Sequence, residues 1–412
     1  MSAPASVTPV SCTLAGVLFF LGLGSSWYLA GSADFGPRQA FQVLAGLALG
    51  VVLQRSRFCF QCHLRDLLAP ADGRRDSTGT VALLVALALG LLGTSIVLGA
   101  WIVDPSRGHL PPIAHIGPVG WHLLVGGATF GLGMALSGSC ISAHLYRLGE
   151  GALVTLPALF GVVLGFGLGF ASWNWFYVSG IVVAPVWWLP ALTGGYGLAV
   201  LIQLGVLAAL AWWLLGWRRA PEAAPSSDGR TAVLTAVFVR RWPAWVGGAA
   251  VAVIGTVTLL RGDALGVTAG IGALARQLSD VAGLLPVRLE GLDGFRGCRS
   301  ATGEGLLSTN LFFVSALVLG SASAALTAGQ FAWRVPPWRE AVLALIGGIL
   351  LGFGAMISLG CTIGVLFSGI AASAVSGWVF AVAMLVGLWL GLLLRYGRGQ
   401  WKDPLRAPGI ES

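Results

Sequence analysis

Charge is what this sequence has least of. Only 10% of its 412 residues are Asp, Glu, Lys or Arg, against about 25% in an ordinary soluble domain. Acidic residues are the scarcer sign, 16 against 24 basic ones, and Lys402 is the single lysine. Segments 1–33, 77–103, 116–146, 151–217, 305–333 and 341–394 carry no charged side chain at all. A spanning helix needs about 20 apolar residues, so these runs exclude a soluble protein, and the longest must each hold two spans. They are continuous, not alternating, which excludes a transmembrane β-barrel. The first 33 residues lack Lys and Arg, so the basic start of a cleaved secretory signal is missing. Segment 11–33 is therefore expected to be a retained span.

What fills the space is apolar. The composition is 56% hydrophobic with 61 glycines and 17 tryptophans, and the mean hydropathy is +0.85. Glycines suit close helix contacts and tryptophans suit membrane interfaces. The pattern predicts an all-α polytopic membrane protein with ten spans: 13–31, 39–54, 78–101, 121–137, 151–172, 194–217, 242–260, 306–330, 340–357 and 373–394. A net charge of +8 would suggest nucleic acid in a soluble protein, but here the arginines cluster between spans. Segments 55–76, 218–241, 334–339 and 395–406 hold 16 basic residues, and the intervening ones on the other side hold seven. Basic loops stay in the cytoplasm, so both termini are expected inside a bacterial inner membrane. The organisation read from this is an N-terminal span and loop (1–38), a first membrane half (39–217), a cytoplasmic linker (218–241), a second half (242–394) and a cytoplasmic tail (395–412). Segment 261–305 is too long for a plain connection, and its apolar patches predict a short helix or re-entrant piece.

The two halves repeat a motif. Gly131-Leu-Gly133 with Ser137 and Cys140 is matched by Gly352-Phe-Gly354 with Ser358 and Cys361, all at an offset of 221 residues. A weaker match pairs Arg57-Phe-Cys59 with Arg296-Gly-Cys298. The expected topology runs the first motif inward and the second outward. That makes the halves an inverted pseudo-repeat, with short discontinuous or re-entrant helices at the cysteine motifs and a site near the midplane.

Four of the six cysteines, Cys12, Cys59, Cys62, Cys140, Cys298 and Cys361, lie in these motifs. A membrane cysteine is ordinarily a small apolar filler, and Cys12 is read so. Cys140 and Cys361 instead sit where a helix breaks among Gly, Ser and Thr, and irregular backbone at membrane depth lines a cavity or is buried in protein. The string Cys59-Phe-Gln-Cys62-His63 fits covalent haem attachment, but it falls at an arginine-rich cytoplasmic end. One such cluster is also incomplete for zinc, and the chain carries no nucleotide fingerprint or Walker motif. No metal or cofactor is expected. Arg147 and Glu150 stand i,i+3 and can pair, with His144 beside them.

Arg55-Ser-Arg-Phe-Cys59-Phe with Leu64-Arg-Asp66, Ser137-Gly-Ser-Cys140-Ile-Ser-Ala-His-Leu-Tyr-Arg-Leu-Gly-Glu-Gly151 and Leu359-Gly-Cys361-Thr-Ile-Gly364 resemble the signatures of the YeeE/YedE family. The resemblance covers about residues 40–394, and the family includes thiosulfate transporters of the bacterial inner membrane. It implies an hourglass-shaped helical permease that passes thiosulfate or a related sulfur anion along three thiols by S–H···S hydrogen bonds. By motif those thiols are Cys59, Cys140 and Cys361. Secondary candidates are Cys62, Cys298, Ser142, His144, Arg147, Glu150 and Thr362. The resemblance also implies a small cytoplasmic TusA-like sulfur carrier as a partner. Ser139 and Val365 stand where many members have glycine and a polar residue. The alternatives are transport of a selenium or other sulfur compound and, in a different class, a membrane thiol redox protein. Within the permease reading Cys59 is expected at an electropositive cytoplasmic mouth, below the central pair.

Overall fold

The computed structural model describes residues 9–32, 35–68, 75–107, 109–216, 238–263, 265–286, 288–292 and 309–396. Fourteen helices of eight residues or more cover these. The first seven are α1 (Pro9–Gly31), α2 (Pro37–Ser56), α3 (Phe60–Leu68), α4 (Thr78–Trp101), α5 (Trp121–Ser137), α6 (Ile141–Gly149) and α7 (Thr155–Phe176). The second seven are α8 (Tyr196–Leu215), α9 (Ala244–Leu260), α10 (Thr268–Val281), α11 (Thr309–Thr327), α12 (Trp338–Ile357), α13 (Thr362–Ala371) and α14 (Val375–Tyr396). All ten expected spans coincide with helices, and the shorter α3, α6, α10 and α13 are the broken pieces. Among the described residues nine helices are long and apolar enough to cross a membrane, two of them running on through α3 and α6. The 17-residue α9 is just short of that length. Boundaries move by up to four residues: α1 starts at Pro9, four before the expected 13, and α7 at Thr155, four after the expected 151. Residues 150–153 are drawn into a short backbone pairing with 332–334, through Ala332 N–H to Glu150 O (3.0 Å) and Leu153 N–H to Arg334 O (3.0 Å). The expected helical piece in 261–305 is α10. Most of the proposed linker, from 217 to 237, and the tail from 397 lie outside the described residues.

The packing partners follow a two-fold rule. Helix α2 packs on α11 and its counterpart α9 on α4; α5 packs on α14 and its counterpart α12 on α7. The axis passes between α5 and α12, which run antiparallel in direct backbone contact. A Cβ on Gly126 would fall 2.9 Å from Ser358 N, and one on Gly133 2.7 Å from Gly347 O. Only glycine permits that approach, which is how small residues drive helix association where lipid supplies no hydrophobic force.

The helix breaks repeat atom for atom. Ser137 Oγ donates to Gly133 O (2.8 Å) and to Ser139 O (3.0 Å); Ser358 Oγ donates to Gly354 O (2.6 Å) and to Gly360 O (3.1 Å). Gly138 and Leu359 both take the left-handed conformation, with φ of 80° and 62°. That turn breaks the helix, and Cys140 and Cys361 follow in extended conformation as the N-caps of α6 and α13. Every pair stands at the same 221-residue offset.

Segments 55–68, 238–241 and 150–154 with 332–334 meet at one end: Trp242 N–H donates to Arg55 O at 2.9 Å, and the Arg55 guanidinium binds Arg240 O. At the other end Val119 N–H donates to Pro185 O (2.8 Å) and Leu189 N–H to Ser373 O (3.0 Å). There too Arg38 and Gln42 hold Asp263.

Candidate functional site

The inner face of each break carries its thiol into the core. Cys59, Cys140 and Cys361 are all buried to 1% exposure or less. Cys59, ahead of α3, lies within hydrogen-bonding reach of both Cys140 and Cys62. The expectation that Cys59 stands at a mouth, apart from the central cysteines, is therefore corrected. The turn ending α2 puts Arg57 in the left-handed region (φ 47°, ψ 39°), which swings the chain inward before α3 begins. A non-glycine residue there costs on the order of 1 kcal/mol.

Around the thiols stand hydroxyls. Cys140 Sγ is 3.2 Å from Ser142 Oγ. The Thr362 hydroxyl, one residue after Cys361, is brought beside the Cys140 thiol, so the two breaks meet. Thr268 Oγ1 donates to Cys361 Sγ at 3.9 Å. Ser139 Oγ and Thr362 Oγ1 are buried without a hydrogen-bond partner. Native interiors satisfy most such groups, so two such hydroxyls beside buried thiols single this place out as a candidate polar site.

Thr268 and Val267 were not recognised from sequence. Helix α10, which starts at Thr268, stands where α3 stands in the first half, so the counterpart of Cys59 is the Val267–Thr268 turn. Cys298, which carries the weaker sequence match, lies outside the described residues. The signal that could have found Thr268 was the apolar patch from 264 to 275, which follows α9 as α3 follows α2. Cys12 is exposed on α1, away from the other thiols.

The remaining candidates form a second layer at the arginine-rich end. Arg147 Nη2 donates to Cys62 Sγ at 3.3 Å and its guanidinium also bonds the neighbouring Tyr146 hydroxyl. The expected Arg147–Glu150 pair is not closed, since no ion pair within 4 Å joins them. Glu150 receives the Gln54 amide and is faced by Arg57, Arg147 and Arg334. Both ring nitrogens of His144 are buried and unpartnered. No three His, Cys, Asp or Glu side chains among the described residues converge as a metal site.

Two inverted seven-helix halves, with broken helices meeting at the centre, define an all-α polytopic membrane protein of the kind that secondary transporters use. The profile described as sulphur transport matches residues 55–390, and the chain belongs to that family. It is similar to the thiosulfate transporter TsuA of Escherichia coli (strain K12), with 26% identity over 372 residues, 88% of this chain and 96% of that protein. It is likewise similar to the thiosulfate transporter TsuA of Spirochaeta thermophila, with 27% identity over 375 residues, 84% of this chain and 96% of that one. A shorter likeness, 40% over 136 residues and a third of the chain, is to the probable transporter YedE of Salmonella typhimurium.

Proposed function

We propose that this protein is a permease, not an enzyme, that imports thiosulfate or a closely related sulfur anion across the bacterial inner membrane. Cys59, Cys140 and Cys361 are the thiols along its path. The observation that carries the reading is the meeting of the two breaks, where the Cys59 and Cys140 thiols and the Thr362 hydroxyl converge in a buried core. A neutral thiol is a weak donor and a soft anionic sulfur suits it. The anion is thus bound tightly enough to be selected and loosely enough to leave. Helix α6 begins at Cys140 and offers its first backbone N–H groups, with the positive end of its dipole, to the sulfonate oxygens. Ser142 and Thr362 add hydroxyl donors. Cys62 and Arg147 take the anion onward from Cys59, with His144 and Glu150 beside them.

The basic end is the cytoplasmic one, and both termini lie there. A small TusA-like carrier is the natural receiver of the sulfur on that side. The test is growth and radiolabelled uptake in a strain lacking its own sulfate and thiosulfate uptake. Expression of this chain should restore growth on thiosulfate as the only sulfur source. Failure to rescue, with the protein present in the membrane, would overturn the substrate assignment, and rescue by a selenium or other sulfur compound alone would replace it.

A further inference from the structure

Glu150, half-buried, is the acidic residue in a group of cations at the rim of the protein, where Arg57 and Arg147 are half-buried and Arg334 and Arg241 exposed. Arg57 faces it from the end of α2, Arg147 from α6 and Arg334 from the segment before α12. Arg241, ahead of α9, also feels its charge, as does Tyr146. From the end of α11, Gln330 Oε1 accepts a 2.9 Å bond from the same Gln54 amide that reaches Glu150. Backbone pairing of 150–151 with 332–334 fixes the carboxylate and Arg334 side by side. None of these cations closes to within 4 Å of the carboxylate, and Glu150 Oε1 and Arg57 Nε are buried without a partner. Arg57 and Arg147, half-buried beside one carboxylate, leave positive charge partly withdrawn from solvent, which an anion joining them would offset.

The fold does not require these charges. At the 221-residue offset Arg147 corresponds to Ser368 and Glu150 to Ala371, and the second half builds the same turn and a short helix, mostly of π type, with both. The cluster has a role beyond holding the chain.

We propose that Glu150 is a tethered stand-in for the anion, and that it takes up a proton when the divalent oxyanion settles among Arg57, Arg147 and Arg334. The inference rests on the thiosulfate reading and deepens it, because it couples that anion to a proton at the inner end. The balance is simple: carboxylate, dianion and one proton from the adjoining water give the neutral carboxyl with the dianion bound. Without the dianion, burial raises the carboxyl's pKa and the arginines oppose that rise. With the dianion present the arginines are neutralised and a second negative charge arrives, so the balance moves toward the protonated form. Binding is therefore favoured as pH falls, by at most about tenfold per pH unit for one linked proton.

The test is calorimetric titration of the purified full-length protein with thiosulfate in two buffers of different ionisation enthalpy, from pH 6 to 8. The wild type should take up a fraction of a proton approaching one, and its affinity should weaken with rising pH. The Glu150→Gln protein should bind with no net proton uptake and a flat pH profile, and Glu150→Asp should restore the slope. Binding by the wild type without proton uptake, or the same slope in Glu150→Gln, would overturn this inference alone. The wild-type measurement decides the matter even where the glutamine variant does not fold. No thiosulfate binding at any pH would overturn the substrate reading as well.

Discussion

The Arg147–Glu150 cluster has a counterpart position across the two-fold axis, and that position is lined by no charged side chain. There a cavity between α4, α9 and α13 is lined by Thr94, Thr256, Ser368, Phe367 and Ala371, with His115 as its one titratable side chain. His144 of the basic end corresponds to Val365, as Arg147 does to Ser368. One backbone plan thus serves both ends, and the side chains alone make them different. On the proposed reading, the neutral end would let a dianion approach the thiols without being trapped, and the cationic end would draw it off, with Glu150 keeping that attraction from becoming a permanent hold. Repetition accounts for the fold, and its violation is what the proposal uses for direction.

The break-by-break equivalence is tested most severely at the thiols. Cys140→Ala and Cys361→Ala should each lower uptake roughly a hundredfold. That corresponds to about 2.7 kcal/mol, the loss of more than one polar contact to a charged guest. Cys59→Ala should be as damaging as Cys140→Ala, because the two thiols are in contact in the same buried core. Cys12→Ala should be neutral. Initial rates of radiolabelled uptake, normalised to folded protein in the membrane, give the comparison. Normal transport by Cys361→Ala would remove the second break from the path and leave only half a site.

The asymmetry between the ends is tested next, at Arg147. Arg147→Ser installs the residue that the other half already uses, so folding should be preserved. Uptake should fall about ten- to a hundredfold, the range of one or two charge-assisted hydrogen bonds. The mirror change, Ser368→Arg, puts a cation into a cavity whose lining has no carboxylate to meet it. Loss of folded protein is expected there, since an uncompensated buried charge costs about 3–5 kcal/mol. Yield and monodispersity in detergent read the second effect, and uptake reads the first. If Arg147→Ser transports at the wild-type rate, the cationic end is not on the anion's route.

These two comparisons also show what was legible in the sequence. Ten spans could be read because scarce charges bracket long apolar runs, and the central repeat because Gly133, Ser137 and Cys140 recur as Gly354, Ser358 and Cys361. Both are local patterns. The placement of Cys59 was misjudged because its three neighbouring arginines describe the loop's composition, not its path. Only the left-handed turn at Arg57 carries the thiol inward. The partners of Glu150 were missed for a related reason: Gln54, Arg241 and Arg334 are remote in the chain and meet only through tertiary packing. The counterpart of Cys59 was hidden because the repeat keeps the turn there and changes the side chain.

That last substitution gives the mildest and most discriminating prediction. In the first half a thiol, Cys59, stands beside Cys140; in the second a hydroxyl, Thr268 Oγ1, donates to Cys361 at the long distance of 3.9 Å. A neutral hydrogen bond contributes about 0.5–1.5 kcal/mol, and one this long belongs at the low end. Thr268→Val keeps the volume and removes the donor, so uptake should drop only about two- to threefold. Thr268→Cys would place thiols on both sides of the axis and should keep near-normal rates, because a cysteine at this turn is what the first half carries. A loss in Thr268→Val as large as that in Cys361→Ala would mean that the hydroxyl itself contacts the anion. The two breaks would then divide the work between thiol and hydroxyl instead of repeating it.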